Sequence, residues 1–473
     1  MEQKDKKKLL GQIFTPINLV EIMLNEAGFS GTNTLIFKTM EPAFGKGVFL
    51  IEMIKRIIRE GKRLHYSKKQ IEEVIENNIY GIEIDSELFN FTLLEIKNLL
   101  KDNNLNTNLE FKLYNEDTIR VWEQFKNKFD IVIGNPPYVR TKNLDLDTRL
   151  LLKGFSFSTG LKDLYLSFIE LSFKLLNSNG KMVLVTPTTW FQTKSAEKFR
   201  NFLQISKSLK TLILLDADTR PFKESVDTCI FTIYKNLKTT TTIYELSGEH
   251  LSFKGNIELE ELKFNNTFIF RANKQILGIM KEGFKKERFK VSHGIGTLQD
   301  SFFIRKEKIG ENLFIKTLKG STGKYFWLFF PYDNEGKLLE LETIKEKNPQ
   351  MFQLLLENKE DLTNRSLDFR QKWWGFGRSQ GIANIFKEKY SINYIFLDQK
   401  TIKLTFLEKN IALNAGYYIL TDVNFAKLKK LIYSNTFIEY AKTFGSWKNG
   451  GFYTLSTKQV ELFLNTFYEI VYN

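Results

Sequence analysis

The sequence predicts an α/β protein built on a mostly parallel sheet of seven strands, followed by a mixed α+β domain. From Thr34 to about Tyr234, short apolar runs alternate with longer amphipathic runs, which is the pattern of strand and helix units stacked into a parallel sheet. No crossover helix fits between the last two predicted strands, Thr211–Leu215 and Cys229–Tyr234. We therefore expect these two strands to form an antiparallel hairpin at one edge of the sheet.

The other five strands follow from apolar runs that are bounded by turn residues. They are predicted at Leu35–Met40, Ile79–Ile84, Glu110–Tyr114, Phe129–Ile133 and Lys181–Val185. Apolar residues recur three and four positions apart in the segments between them. We therefore expect helices to follow from Val48, Ser86, Asp163 and Lys194.

The alternation ends after Thr239–Thr242, and the rest of the chain is rich in aromatic residues, lysine and short β-like runs. A chain of 473 residues also exceeds the roughly 250–300 residues that one hydrophobic core usually organises. We therefore expect two domains, at residues 1–246 and 247–473.

The composition favours a soluble protein with a polyanionic partner. The net charge of +14 and the pI near 9.3 suit nucleic acid, although a coding bias toward lysine would give the same balance. One cysteine and three histidines make a disulfide framework or a Cys/His zinc site hard to assemble, so we expect no metal, with a carboxylate-bound Mg²⁺ as the alternative. No apolar stretch is long enough to span a bilayer, and residues 1–10 lack the apolar centre of a secretory signal. We expect a cytoplasmic protein without membrane contact.

The first motif with chemical content lies where the first strand is predicted to end and a helix to begin. Residues 41–47 read Glu-Pro-Ala-Phe-Gly-Lys-Gly, and ligands bind at this edge of an open α/β sheet. The loop lacks the third glycine of the dinucleotide fingerprint and the lysine and threonine of a phosphate-binding loop. It therefore predicts a nucleotide-like ligand without phosphates, although an ordinary turn would look similar. The residues expected at this ligand are Glu41, Pro42, Ala43, Gly45 and Gly47.

Acidic residues follow the next two predicted strands. Glu83 and Ile84 end the second strand, and Glu83 can accept hydrogen bonds from both ribose hydroxyls, as an acid at this position does in dinucleotide-binding folds. Asp117, after the third strand, can accept a hydrogen bond from an adenine amino group. A solvated acid in a turn is the alternative for each, and the nearby glycine loop favours the binding role.

The sequence Asn135-Pro136-Pro137-Tyr138 follows the fourth predicted strand and carries the most specific signal. Two consecutive prolines hold the backbone extended and rigid. The Asn135 amide oxygen and the Pro136 carbonyl can both accept hydrogen bonds from one planar amino group, which makes its nitrogen a better nucleophile toward a sulfonium methyl. The ring of Tyr138 can stack on a flipped base. No general base is required, because the amine becomes acidic only after methylation.

These motifs, together with Gly11-Gln12-Ile13-Phe14-Thr15-Pro16, resemble in type and order the gamma arrangement of TaqI-like adenine-N6 DNA methyltransferases. The resemblance is close over the first half of the chain and loose over the second. It implies a Rossmann-like domain that binds S-adenosyl-L-methionine (AdoMet), with the Thr15 segment closing over the cofactor. It also implies that Phe222 is a second aromatic ring at the flipped adenine, and that the second domain recognises the target sequence.

We therefore expect a site-specific methyltransferase that modifies N6 of a flipped-out adenine in double-stranded DNA. We expect it to act as a monomer on DNA, either beside a separate restriction endonuclease or without one. The motifs begin at Gly11, so we expect no N-terminal nuclease domain. A methyltransferase acting on RNA or on protein glutamine is the alternative, since the same motif serves guanine amino groups and planar amides. A non-catalytic specificity subunit would have no use for Asn135 beside a cofactor loop.

One segment of the second half also has the composition of a nucleic-acid-binding loop. Residues 369–380 interleave basic and aromatic side chains with glycines. Arg378 and Gln380 are residue types suited to the edges of guanine and adenine, respectively. Tandem tryptophans, here Trp373 and Trp374, are equally consistent with packing in a core.

Overall fold

The structure, a computed structural model, describes residues 15–139, 144–158, 163–215, 227–271, 273–368, 371–448 and 451–472. The chain forms two compact units, Met1–Phe270 and Arg271–Asn473. In the described ranges, no helix is both long enough and apolar enough to cross a membrane.

A nine-stranded sheet organises the first unit. Its strands are β1 (Thr39–Glu41), β2 (Ile79–Ile82), β3 (Lys112–Tyr114), β4 (Phe129–Gly134), β5 (Leu176–Pro187), β6 (Leu209–Leu215), β7 (Thr228–Tyr234), β8 (Thr241–Ser247) and β9 (His250–Ile257). They lie in the order β3-β2-β1-β4-β5-β7-β6-β8-β9. Five of the neighbouring pairs are parallel, whereas β7 is antiparallel to β5 and β6, and β9 is antiparallel to β8. A separate small hairpin consists of β10 (Lys263–Phe264) and β11 (Thr267–Phe268).

This sheet confirms the mostly parallel α/β class and corrects three details of the prediction. The sheet has nine strands instead of seven, because β8 pairs in parallel with β6 and β9 then folds back on β8. The β6–β7 hairpin is therefore inside the sheet, not at its edge. Because the sheet continues to Ile257, the compact unit ends at Phe270, so the expected boundary at residue 246 is wrong.

The predicted strand at Leu35–Met40 is also wrong in its first half. Asn33–Ile36 is a short helix with Leu35 buried, and the strand itself is confined to Thr39–Glu41. A short apolar run is compatible with either a buried strand or a buried helical turn, so its periodicity cannot decide between them.

Helices cover the sheet of the first unit. The α-helices are α1 (Ile17–Glu26), α2 (Asn33–Ile36), α3 (Val48–Arg63), α4 (Lys68–Asn78), α5 (Ser86–Asp102), α6 (Thr118–Val121), α7 (Leu146–Leu151), α8 (Leu164–Leu175) and α9 (Glu197–Ser206). Short 3₁₀ helices lie at Trp122–Phe125, Leu152–Gly154, Thr188–Phe191 and Lys194–Ala196. Helix α3 follows the glycine loop and buries Phe49, Leu50, Met53, Ile54 and Ile57, spaced three and four residues apart, in the main core.

The second unit has mixed α+β structure. Its strands are β12 (Lys290–His293), β13 (Ile304–Arg305), β14 (Phe314–Lys319), β15 (Lys324–Phe329), β16 (Lys389–Ile392), β17 (Ile395–Phe396), β18 (Leu404–Leu407), β19 (Ala412–Asn414), β20 (Tyr417–Leu420), β21 (Ser446–Lys448) and β22 (Phe452–Thr454). They form sheets in the orders β12-β20-β16-β18, β13-β15-β14-β19 and β17-β22-β21. The helices are α10 (Lys274–Glu282), α11 (Asp300–Phe303), α12 (Leu341–Lys347), α13 (Pro349–Glu357), α14 (Lys359–Thr363), α15 (Phe425–Ile432), α16 (Asn435–Phe444) and α17 (Thr457–Tyr472), with 3₁₀ turns at Ile382–Asn384 and Gln399–Thr401.

Of the tandem tryptophans, Trp374 belongs to the core of the second unit, and Trp373 packs against that core partly buried. Trp374 is buried, and its indole nitrogen donates a hydrogen bond to the Leu339 carbonyl at 2.9 Å. The Arg365 guanidinium donates to the carbonyls of Trp373 and Gly375, at 2.6 Å and 3.0 Å. Arg378 forms an ion pair with Asp368. These contacts support the packing interpretation for Trp374, and they hold Arg378 within its own unit.

Candidate functional site

A cavity of about 300 Å³ lies in the first unit, where β1, β2 and β4 end. These strands are parallel neighbours, so the loops that follow them meet at one edge of the sheet. Of the residues predicted from the sequence, the lining includes Thr15, Glu41, Pro42, Ala43, Gly45, Glu83, Ile84, Asp117, Asn135 and Pro137. Gly47, Pro136 and Tyr138 are not part of the lining. Phe222 lies outside the described residues.

Two hydrogen bonds through Gly45 hold the glycine loop between β1 and α3. The Gly45 amide donates to Glu83 Oε2 at 2.8 Å, and the Thr92 hydroxyl of α5 donates to the Gly45 carbonyl at 3.0 Å. Gly47 has φ +67°, and a Cβ built there would lie 2.1 Å from Thr92 Cγ2. The loop therefore requires glycine at position 47 for two reasons, its left-handed backbone and its close approach to α5.

Two buried carboxylates stand at the inner part of the cavity. Glu41 is only 2% exposed, and its Oε2 atom has no hydrogen-bond partner within the described part of the chain. Burial, reinforced by the nearby Glu83, raises the pKa of Glu41 well above its ordinary value. Burial also raises the pKa of Glu83, although the amides of Asp85 and Gly45 oppose this shift by donating to its carboxylate. A cationic group in the cavity would stabilise the ionised forms of both Glu41 and Glu83.

Asp117 borders the cavity at the start of α6. Its carboxylate accepts a hydrogen bond from the Ile119 amide at 2.9 Å and pairs with Arg120 at 3.4 Å. Burial raises the pKa of Asp117, and these two contacts lower it in part. The adjacent Thr118 hydroxyl donates to the Pro42 carbonyl, so this turn is fastened to the glycine loop.

Asn135 lies directly after β4 and lines the cavity. Its amide nitrogen donates to the Thr15 hydroxyl oxygen at 3.3 Å, and Thr15 is buried. Pro137 lines the cavity, whereas Pro136 is buried outside the lining. The Thr15 contact orients the Asn135 amide with its nitrogen toward Thr15.

Tyr138 is held from two sides at the end of the same loop. Its hydroxyl donates to the Val185 carbonyl at 3.0 Å, and its ring meets the Tyr165 ring edge-on with centroids 6.4 Å apart. Burial raises the pKa of the Tyr138 phenol well above its ordinary value, so the ring stays neutral. The side chain is therefore held in a fixed position beside the Asn-Pro-Pro segment.

The cavity has an additional wall that the sequence motifs did not identify. It comes from the segment after the Asn-Pro-Pro-Tyr motif and from α8, and its members are Val139, Leu144, Asp145, Thr148, Leu164 and Phe168. Asp145 caps α7 by accepting from the amide and hydroxyl of Thr148 at 2.8 Å and 2.7 Å. The Asp-x-x-Thr spacing is a helix-start signal that could have placed this turn, but it carries no information about the cavity.

The described residues contain no group of three or more His, Cys, Asp or Glu side chains arranged to hold a metal ion.

Comparison with known proteins gives the site a family context. Residues 77–222 match the family model of the Eco57I restriction-modification methylase. The type II methyltransferase M.BstVI of Geobacillus stearothermophilus is 26% identical over 233 residues, which are 46% of this chain and 40% of that protein. The type II restriction enzyme and methyltransferase RM.Eco57I of Escherichia coli is 23% identical over 79% of this chain and 48% of its own length. The chain thus spans less than half the length of these two relatives.

A solved structure shares this fold. The type IIL restriction-modification enzyme MmeI, solved in complex with DNA, aligns with a TM-score of 0.67 at 15% identity, covering 98% of this chain and 69% of that chain. At this identity the likeness shows a shared fold. The family match and the two type II relatives confirm the resemblance to restriction-modification methyltransferases that the sequence predicts.

Proposed function

We propose that the chain is an AdoMet-dependent methyltransferase that modifies N6 of adenine at one short sequence in double-stranded DNA. The observation that carries the proposal is the single cavity that joins Asn135, from the Asn-Pro-Pro-Tyr loop, to the buried carboxylate of Glu41. An acceptor for a planar amine and an acid for a cationic ligand therefore border one space.

The residues present fit AdoMet. Buried polar atoms are nearly always hydrogen-bonded, and an ammonium group would supply the donor that Glu41 Oε2 lacks within the described chain. A carboxylate has about four lone-pair sites, so Glu83 can accept from ribose hydroxyls in addition to its two backbone bonds. Asp117 would accept from the adenine amino group, and the half-exposed Ile84 would pack against the adenine ring.

Bound AdoMet supplies an activated methyl group on a sulfonium sulfur. The chain orients the acceptor: Asn135 Oδ1 and the Pro136 carbonyl accept hydrogen bonds from the adenine amino group, and Thr15 holds the Asn135 amide in the required orientation. Tyr138 and Phe222 stack on the flipped base, which must leave the helix because its N6 is otherwise inaccessible. The proton released after methylation passes to solvent, so no base is needed.

The charge distribution supports DNA as the substrate. Residues 271–473 contain 32 lysines and arginines against 21 aspartates and glutamates, whereas residues 1–270 contain 37 against 34. The positive charge is thus concentrated in the second unit, to which we assign recognition of the target sequence. We further propose that the enzyme acts as a monomer, as the modification member of a restriction-modification system or as a solitary methylase.

The proposal is tested by offering three acceptors to the purified chain with tritiated AdoMet. We expect label in plasmid DNA and none in RNA or in a glutamine-containing peptide, with N6-methyladenine as the product after digestion. Sequencing of modified bases should then show one short motif. Label confined to RNA or to the peptide would reject the DNA assignment.

A further inference from the structure

A second cavity, with a different chemical character, lies within the second unit. It has a volume of about 500 Å³, and its lining includes Lys400, Lys403, Ser321 and the rings of Tyr394 and Phe452. None of the described residues that line it is acidic. The nearest carboxylate in sequence, Asp398, accepts a hydrogen bond from the Thr401 amide.

The β14–β15 hairpin, whose turn contributes Ser321 to the lining, carries two more lysines outside the lining. Lys319 and Lys324 are directly opposite each other in the antiparallel pair, and both are exposed. Lys403 ties the tip to the cavity wall, because its Nζ donates to the Ser321 carbonyl at 2.9 Å. A Cβ built on Gly323 would lie 3.7 Å from Lys403 Cδ, so the turn and this lysine are in contact.

The facing lysines Lys319 and Lys324 repel each other, and a bound anion would relieve this repulsion. Like charges directly opposite each other in an antiparallel pair destabilise the pairing. Lys319 and Lys324 are such a pair, and Lys400 and Lys403 add further positive charge beside the turn. A phosphate group between these ammonium groups would convert the repulsion into attraction, since lysine is a common point-charge ligand of phosphate.

The cavity also offers surfaces for the parts of a nucleotide that carry no charge. The Tyr394 ring is held against the Tyr417 ring, with centroids 5.4 Å apart, so it presents a fixed surface. Phe452 lies in the same lining and is only half-buried. These rings give the lining apolar surface beside its lysines.

We propose that this cavity and the adjoining hairpin tip hold the phosphate backbone of the DNA duplex on which the enzyme acts. The inference rests on the proposed function, and it deepens that function by naming the contact surface: Lys319, Lys324, Lys400 and Lys403 bind phosphates, and Tyr394 and Phe452 pack against the neighbouring sugars. Contacts of this kind position the protein on DNA without reading its sequence.

The salt dependence of DNA binding tests this surface. A triple variant, Lys319→Gln, Lys324→Gln and Lys400→Gln, removes three of the charges and leaves the Lys403 contact with Ser321 intact. Each lost phosphate contact lowers the slope of log K against log salt by about 0.9, so we expect a reduction of about 2–3 for a duplex that contains the target site. The loss of affinity should be the same for a duplex without the site.

A matched control carries the same change of charge elsewhere in the second unit. Lys345→Gln, Lys347→Gln and Lys359→Gln alter three exposed lysines on α12 and α14, where acids such as Glu346 and Glu360 alternate with them. The control should keep the wild-type slope. The midpoint of thermal unfolding is measured for both variants, and a value equal to that of the wild type establishes that they are folded.

Each result bears on the proposal. If the triple variant kept the wild-type slope of log K against log salt, the surface assignment would be wrong and the proposed function would be unaffected. The same conclusion would follow if the slope of the control variant fell as much as that of the triple variant. Loss of affinity for an RNA duplex with unchanged DNA binding would overturn it in favour of another partner. If the wild-type protein binds no DNA, the proposed function fails and this inference fails with it.

Discussion

At the scale of single residues, a substitution of Asn135 is the most direct test of the proposed chemistry. Asn135→Ala removes the side-chain acceptor for the attacking amine and leaves the glycine loop and its contacts with Glu83 and Thr92 unchanged. We expect methyl transfer to fall at least about 100-fold, the loss typical when one group aimed at developing charge is deleted. AdoMet affinity, measured by calorimetry, should remain near the wild-type value. Retained turnover would refute the assigned role.

Thr15 tests whether the orientation of the Asn135 amide matters. Thr15→Val keeps the shape of the side chain and removes the hydroxyl that accepts from Asn135 Nδ2, whereas Thr15→Ser keeps the hydroxyl. We expect the valine variant to lose about tenfold in kcat, consistent with one hydrogen bond of about 1–1.5 kcal/mol. The serine variant should retain most of the activity. If the valine variant had an unchanged kcat and weaker AdoMet binding, Thr15 would contribute to cofactor binding and not to orientation of the Asn135 amide.

Glu41 links binding to stability. Its pKa is raised in the folded protein, so its protonated form is favoured there, and the resulting stabilisation is fully present below the ordinary value of 4.5 and is lost as pH rises through the raised pKa. Glu41→Gln is uncharged at every pH. We therefore expect this variant to unfold at a higher temperature than the wild type at pH 7–8 without cofactor, with the difference shrinking toward pH 4.5.

The same substitution should weaken AdoMet binding, because the proposed ammonium ligand loses its charged partner. Hydrogen bonds to charged groups contribute about 1.5–3 kcal/mol, so we expect roughly a 10- to 100-fold rise in Kd by calorimetry. Glu21→Gln, on the exposed face of α1, is the control and should change neither property. Unaltered AdoMet affinity in Glu41→Gln would remove Glu41 from the site.

At the scale of elements, the glycine loop between β1 and α3 determines whether the cavity forms. Gly47→Ala places a methyl group 2.1 Å from Thr92 Cγ2 in a left-handed backbone, so both strain and overlap oppose it. We expect a loss of about 1–3 kcal/mol in the free energy of unfolding, measured with urea, together with loss of AdoMet binding.

Gly31→Ala separates the cost of a left-handed backbone from the cost of the overlap with Thr92. Gly31 also has positive φ, at +55°, but a Cβ there meets nothing within 4 Å. It should therefore show only the smaller backbone cost. Combining Gly47→Ala with Thr92→Ser, which removes the clashing methyl, should recover part of the stability. Equal losses for the two alanine variants would mean that contact with α5 is unimportant.

The elements also show which parts of the site were predictable. Glu41, Glu83 and Asn135 could be located because each lies at the carboxyl end of an apolar strand, and parallel strands bring these ends together. Thr92 could not, because it reaches the loop from mid-helix, 47 residues away in sequence. Strand β8 was missed for a similar reason: its parallel partner, β6, is separated from it in the chain by β7, and local periodicity contains no information about pairing order.

At the scale of the whole molecule, the positive charge is divided unevenly between the two units. A general surplus of lysine would be shared between the units in proportion to their length, which would give the first unit the larger part of the net charge. Instead, residues 271–473 carry 32 basic against 21 acidic residues, and residues 1–270 carry 37 against 34. The uneven distribution favours a polyanion-binding second unit over a uniform compositional bias.

This division predicts that target choice and chemistry can be exchanged separately. A chimera that joins residues 1–270 of this chain to the corresponding second part of a relative should methylate the relative's target sequence, because the reacting groups all lie in the first unit. The junction should follow Phe270 and not residue 246, since a cut at 246 removes β9 from the sheet and exposes the edge of β8. Sequencing of modified bases in cells that express each chimera gives the answer. We expect the 270 chimera to be folded and to show the new motif, and the 246 chimera to be poorly soluble. If the 270 chimera kept the original motif, sequence recognition would have to reside in the first unit.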